Sequence, residues 1–214
     1  MSNNHSAISE RNILCLGDSY TIGEAVPQEN SFPFETLKLL QKNGYSFTTP
    51  EIIAKTGWTT DELATAIKEA NLKSKYDIVT LLIGVNNQYR KRSIEEYKTE
   101  FTALLETAIS LSKQGAKSVF ILSIPDWGIT PFVAQDAHKR TASQISIQIE
   151  KFNFTKQEIA AQFGVKFINI TPISQDAKND SQLLAEDGLH PSGKMYLQWA
   201  KLLATEIEKL FLKK

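Results

Sequence analysis

The feature that most restricts how this chain can fold is a set of short apolar runs, rich in β-branched residues, that do not alternate with polar ones. The clearest are 77–83 (Asp77-Ile78-Val79-Thr80-Leu81-Leu82-Ile83) and 118–123 (Ser118-Val119-Phe120-Ile121-Leu122-Ser123), with further runs at 12–16, 51–54 and 165–169. A strand with one wet face alternates; an unalternating run needs cover on both faces, which is the condition of a parallel sheet between helical layers. The cover is present in the sequence. In 94–113, Ile94, Tyr97, Phe101, Leu104, Leu105, Ala108 and Leu111 recur at three and four, behind Ser93 as N-cap with Glu96 three residues on. Residues 141–163 repeat the pattern with Ile145, Ile149, Phe152, Ile159 and Phe163 before Gly164, and a last helix is expected over 192–212.

Alternating strand and helix segments, with no composition shift, repeat or Pro/Gly/Ser-rich linker, predict one α/β domain over 11–214: a central parallel sheet with helices on both faces, preceded by a polar tail at 1–10. The longest stretch without a period is 126–142, a length at which loops are usually functional or disordered. No apolar run reaches the ~18 residues of a membrane span, and the start lacks the apolar core of a secretory signal. A cytoplasmic location is expected, although a chain trimmed of its signal would look the same. The 24 Lys plus Arg equal the 24 Asp plus Glu, so the electrostatic footprint of a nucleic-acid or anionic-membrane binder is missing. A single cysteine, Cys15, excludes an internal disulfide and every multi-thiolate metal pattern, and its place in an apolar run marks it as core packing.

In an open parallel sheet, chemistry gathers at the carboxyl ends of the strands. There the sequence places Gly17-Asp18-Ser19-Tyr20, Thr56-Gly57-Trp58, Gly84-Val85-Asn86-Asn87, Pro125-Asp126-Trp127-Gly128 and, near the end, Asp187-Gly188-Leu189-His190-Pro191. Ser19 follows a tight-turn glycine and becomes a nucleophile only if a base takes its proton. Of three histidines, His5 falls in the tail and His138 in the irregular stretch. His190 has Asp187 three residues before it, and in a helical turn that spacing puts Cβ atoms ~5–6 Å apart. Asp187 can then hold Nδ1–H and leave Nε2 for Ser19. Gly57 N–H and the Asn86 amide are candidate donors to an oxyanion. Taken singly, each has a plainer reading: a turn serine, a capped helix start, a turn glycine, a loop-bracing amide. Their conjunction at the strand ends of one sheet is what points to nucleophilic catalysis.

These blocks, in this order over residues 17–191, resemble the four signature blocks of the SGNH hydrolases, also called GDSL-type lipases and esterases. The resemblance implies a three-layer α/β/α, flavodoxin-like fold with a five-stranded parallel sheet, and ester hydrolysis through an acyl-enzyme. It implies Ser19 as nucleophile, His190 as general base and Asp187 as its orienter, with the oxyanion held by the N–H of Ser19, the N–H of Gly57 and the side chain of Asn86. Two positions depart from the family pattern. Tyr20 stands where a leucine gave the family one of its names, and Asn87 stands where aspartate is usual, at a position that chiefly braces the loop. The stretch 18–24 also resembles the bacterial small-molecule esterases related to lysophospholipases and acyl-thioesterases.

Tyr20, Trp58 and Trp127 are the expected substrate-binding residues, with Tyr89 and Phe132 on or beside the same loops. Tyr89-Arg90-Lys91-Arg92 can meet an acidic substrate group or form a solvated helix approach, and Glu24 reads as a surface charge rather than a second acid. No cofactor is expected: neither glycine-rich phosphate cradle follows the first strand, which disfavours a flavodoxin-like non-catalytic binder. No metal is expected either, since Asp18, Asp187 and His190 are the only clustered ligand types. The competing reading of the same triad is an acyltransferase. With no net charge to steer polyanions, the expected partner is a small, largely uncharged ester; the oligomeric state is open.

Overall fold

The computed structural model describes residues 10–72 and 75–212, so His5 and nearly all of the expected tail lie outside the described residues. Among the described residues five strands, β1 (Ile13–Gly17), β2 (Glu51–Ala54), β3 (Ile78–Leu82), β4 (Val119–Leu122) and β5 (Lys166–Ile168), form an all-parallel sheet in the order β2-β1-β3-β4-β5. Every residue of β1, β3 and β4 is buried, whereas the edge strands β2 and β5 are partly exposed, as the unalternating runs require. The helices are α1 (Ser19–Ile22), α2 (Phe32–Lys42), α3 (Thr60–Glu69), α4 (Val85–Tyr89), α5 (Ile94–Leu111), α6 (Ala142–Phe163), α7 (Thr171–Gln175) and α8 (Gly193–Leu212). α2 packs on α8, and α5 packs on both α3 and α6, giving a helical layer on each face of a three-layer α/β/α fold.

The helix ends follow local chemistry. Ser93 Oγ accepts from Glu96 N at 3.1 Å and starts α5. Thr141 and Gln144 form a reciprocal capping box that starts α6, and Gly164, at φ +66°, ends it. The stretch 126–142 contains two short 3-10 turns, Trp127–Ile129 and Pro131–Gln135, which carry no hydrophobic period long enough to read. Cys15 is buried within β1, and burial pushes its thiol up to about 12, so it has no thiolate at neutral pH. No helix among the described residues is long and apolar enough to cross a membrane.

The order 2-1-3-4-5 places the reversal of winding between β1 and β3, where a crevice opens at the carboxyl ends. Register brings those ends level: Gly17 pairs with Ala54 on one side and with Leu82 on the other. The loop after β3 then turns at Gly84, whose φ of +125° is a conformation L side chains rarely adopt. A Cβ there would lie 2.6 Å from the Tyr97 hydroxyl, and that buried phenol donates to Ile83 O at 3.1 Å. Gly84→Ala should therefore cost at least about 1–3 kcal/mol of stability from the backbone alone, with more as Tyr97 is displaced. Urea unfolding of the variant measures it, and a midpoint equal to wild type would mean that the turn is not strained.

Candidate active site

Ser19 opens α1 immediately after β1. Asp18 is the N-cap, its Oδ1 accepting from Tyr20 N at 3.0 Å, and Gly23 closes the turn in the left-handed region. This single turn lifts Ser19 to the sheet edge, where it lines a cavity of about 180 Å3 together with Gly57, Asn86 and His190. The remaining wall is mostly apolar and includes Tyr20, Val85, Trp127 and Leu189. A larger groove of about 410 Å3 lies between α6 and the β5–α7 connection, but neither Ser19 nor His190 reaches it.

His190 and Asp187 sit in a short turn closed by backbone pairing, with Ala185 N donating to His190 O at 2.8 Å and Ser192 N to Leu183 O at 2.8 Å. Asp187 Oδ1 accepts from the N–H groups of Leu189 and His190, both at 2.9 Å, and Oδ2 lies 2.5 Å from His190 Nδ1. Partial burial raises the Asp187 carboxyl, but these hydrogen bonds outweigh it and hold the group below its ordinary value. Asp187 is thus an anion that fixes one face of the imidazole, while the ring rests edge-on against Tyr20 at a centroid distance of 5.5 Å. Tyr20 therefore both lines the cavity and supports the histidine. No hydrogen bond joins Ser19 Oγ to His190 among the described residues; such contacts often tighten only when substrate binds.

The two candidate oxyanion donors come from neighbouring loops. Gly57, at φ +86°, turns its chain between β2 and α3, and its carbonyl accepts from Arg90 Nη2 at 2.7 Å. Asn86 Nδ2 donates to Trp58 O at 2.9 Å, which fixes the amide and leaves its second N–H for the cavity. Asn87 does brace the loop: Oδ1 accepts from Thr60 N at 3.1 Å and Nδ2 donates to Thr60 Oγ1 at 2.6 Å. The departure from aspartate is met by a partner that offers both a donor and an acceptor.

Not every expected residue reaches the site. Trp58 does not line the cavity; it borders a separate shallow groove with Asp61 and Glu62, and its carbonyl accepts from Asn86. His138 stacks near Tyr89, with centroids 5.9 Å apart, and is absent from the cavity wall. In the basic run, Arg90 is engaged by Gly57 O and Glu62, and Arg92 by Asp61 at 2.7 Å, so both brace loops rather than await an acidic substrate. Glu24 accepts from Thr56 Oγ1 and ties the first loop to the second. Thr56, Val85 and Leu189 also line the cavity; they belong to the strand-end blocks, although their residue types alone mark no role.

The GDSL-like lipase/acylhydrolase family model matches residues 15–197. Among solved structures, a lipase/acylhydrolase from Enterococcus faecalis superposes with a TM-score of 0.71 at 22% identity, over 94% of this chain and 96% of that one. The psychrotrophic esterase EstA from Pseudoalteromonas sp. gives 0.67 at 16% identity, over 95% of this chain and 100% of that one. Axe2, an acetylxylan esterase from Geobacillus stearothermophilus, gives 0.63 at 20% identity, over 92% and 94%. At these identities the likeness is one of fold. No curated protein sequence matches this chain significantly.

One residue beneath the site went unread in the sequence. Lys156 of α6 is fully buried, its ammonium donating to Leu122 O at 2.6 Å and to Ile83 O at 3.3 Å, with the Phe101 ring 5.4 Å away. Asp18 is equally buried, and its Oδ2 has no hydrogen-bond partner among the described residues. Burial pushes the Asp18 carboxyl up and the Lys156 ammonium down, and each charge works against the other's shift. The signal was present: 149, 152, 156 and 159 form one stripe of α6, and Lys156 is its only charged member. Leaving a buried acceptor without its donor typically costs about 1–3 kcal/mol. Lys156→Met should lower the unfolding free energy by that order, read from urea denaturation at pH 7; an unchanged midpoint would deny the ammonium any structural role.

Proposed function

This chain belongs to the GDSL-like lipase/acylhydrolase family, and on that premise we propose that it is a serine hydrolase of small carboxylic esters acting through an acyl-enzyme on Ser19. The observation that carries the reading is the shared cavity: Ser19, His190, Gly57 and Asn86 line one wall system, and Asp187 grips the imidazole from outside it.

In this mechanism His190 Nε2 takes the Ser19 proton as Oγ attacks the ester carbonyl. Asp187, held as an anion, keeps Nδ1 protonated and stabilises the imidazolium that forms. The carbonyl oxygen gains negative charge and is met by the N–H groups of Ser19 and Gly57 and by the Asn86 amide. His190 returns its proton to the leaving alkoxide. Water then enters, gives a proton to His190 and attacks the acyl carbonyl; the intermediate collapses as His190 returns that proton to Ser19 Oγ, freeing the acid and restoring the hydroxyl. Because the Asn86 amide is already fixed by Trp58 O, it needs no reorganisation as the oxyanion forms.

Ser19→Ala should abolish turnover of a nitrophenyl ester, whereas Asn86→Ala should lower kcat by ~10²–10³ with a much smaller change in KM. Steady-state kinetics of both variants, beside wild type, decide the matter, and turnover that survives Ser19→Ala refutes the assignment. The imidazole must be neutral to accept a proton, so kcat/KM should fall in acid. A profile flat down to pH 4 would exclude His190 as the base.

A further inference from the structure

Part of the cavity wall is a cluster of three aromatic rings. Tyr89 and Trp127 lie 5.7 Å apart between centroids, and Trp127 and Phe132 6.1 Å apart. They come from two places: Tyr89 ends α4, while Trp127 and Phe132 belong to the irregular stretch after β4. Behind the rings lies Arg140, a buried residue that hydrolysis does not use. Its guanidinium sits 5.2 Å from the Trp127 ring centroid and 5.5 Å from that of Tyr89. Nε and Nη2 donate to the two oxygens of Asp136 at 2.9 and 2.8 Å, and Nη1 donates to Gln88 O at 3.2 Å. Gln88 closes the circuit, its Oε1 accepting from Trp127 Nε1 at 2.8 Å.

The arrangement has the marks of a clamp. A planar guanidinium gripped on both oxygens of a buried carboxylate, and flanked by two aromatic rings, has little freedom to move. The hydrogen bonds from Arg140 hold the Asp136 carboxyl well below the usual carboxylate range despite its burial, so the pair remains ionic. The clamp binds the irregular stretch to α4, the element that also carries Asn86. The cavity beside Ser19 is small, about 180 Å3, and part of its boundary opens to solvent. A wall that cannot swing outward crowds a long acyl chain beside Ser19 more than a short one.

We propose that the Asp136–Arg140 clamp determines specificity: by immobilising the Tyr89–Trp127–Phe132 wall it confines the enzyme to esters of short acyl chains, acetyl to butyryl. This rests on Ser19 being the nucleophile. Arg140 is a positioning residue, acting on substrate only through the rings it backs. Lysine in its place keeps the charge but loses the two-pronged grip and the flat contact with the rings.

The test is a panel of nitrophenyl esters from acetyl to palmitoyl, run on wild type, Arg140→Lys, Trp127→Phe and Ser19→Ala, with kcat and KM separated. Wild type should prefer butyryl to octanoyl. Arg140→Lys should keep acetyl turnover close to wild type while raising the octanoyl-to-butyryl ratio of kcat/KM about tenfold or more, mainly through KM, the scale on which a pocket discriminates one or two methylenes. Trp127→Phe keeps a ring but drops the bond to Gln88, and should shift the ratio the same way; it carries the test alone if Arg140→Lys does not fold. Equal loss at every chain length in the folded variants, or a wild type that already prefers octanoyl, would overturn the proposal. Hydrolysis that persists in Ser19→Ala would instead overturn the assignment of the nucleophile, and this inference with it.

Discussion

The site rests on one buried ammonium. The cavity takes groups from loops that leave separate strands, and a parallel sheet by itself fixes strands, not the turns beyond them. Lys156 reaches from α6 to the carbonyls of Ile83 and Leu122, at the carboxyl ends of β3 and β4, and places its charge in range of Asp18 at the end of β1. One side chain thereby reports to the turn that lifts Ser19, to the loop that carries Asn86 and to the approach of the Trp127 segment. Burying that charge opposes folding, and its partners, two carbonyls, a carboxylate and the face of Phe101, offset the loss of water. A hydrophobic residue could fill the volume but could not hold the ends of β3 and β4 together by hydrogen bonds.

How much was readable depended on whether a residue's role is local or collective. The strands were legible because burial on both faces removes alternation, and 77–83 and 118–123 showed that directly. The helices were legible through caps such as Ser93 and Thr141 and the stop at Gly164, each of which acts within a few residues of itself. The pairing of Asp187 with His190 was legible for the same reason, since three residues in a turn suffice to bring them together. Trp58 borders a groove along α3 rather than the cavity, because a place in a strand-end loop does not fix which groove a residue borders; its carbonyl meets Asn86. Lys156 and Arg140 were passed over because each gains meaning only from partners distant in sequence, Ile83 being 73 residues from Lys156 and Gln88 being 52 from Arg140. Even so, a lysine in an apolar stripe is a local anomaly, and here it marks a fully buried amine.

The contrast between the two sides of the cavity follows from how each is held. Around Ser19 the constraints are mainly backbone turns: Gly23, Gly57 and Gly84 all take positive φ, and Gly57 itself lines the cavity. Around Trp127 they are side-chain contacts, rings against rings with a guanidinium behind them. Backbone turns tolerate little substitution, whereas a ring cluster can be repacked with other apolar residues at modest cost.

The turn from Leu184 to Pro191 has a consequence of a different kind. Asp187 and His190 lie three residues apart, joined by one hydrogen bond from the His190 backbone N–H and one between side chains, and the turn is closed on itself before α8 begins. The pair is a cassette. Insertions on either side of it can carry the two residues as a unit, altering their approach to the serine without disturbing their hold on one another. A change of length in these flanks would move His190 relative to Ser19 while leaving the Asp187–His190 pair as it is.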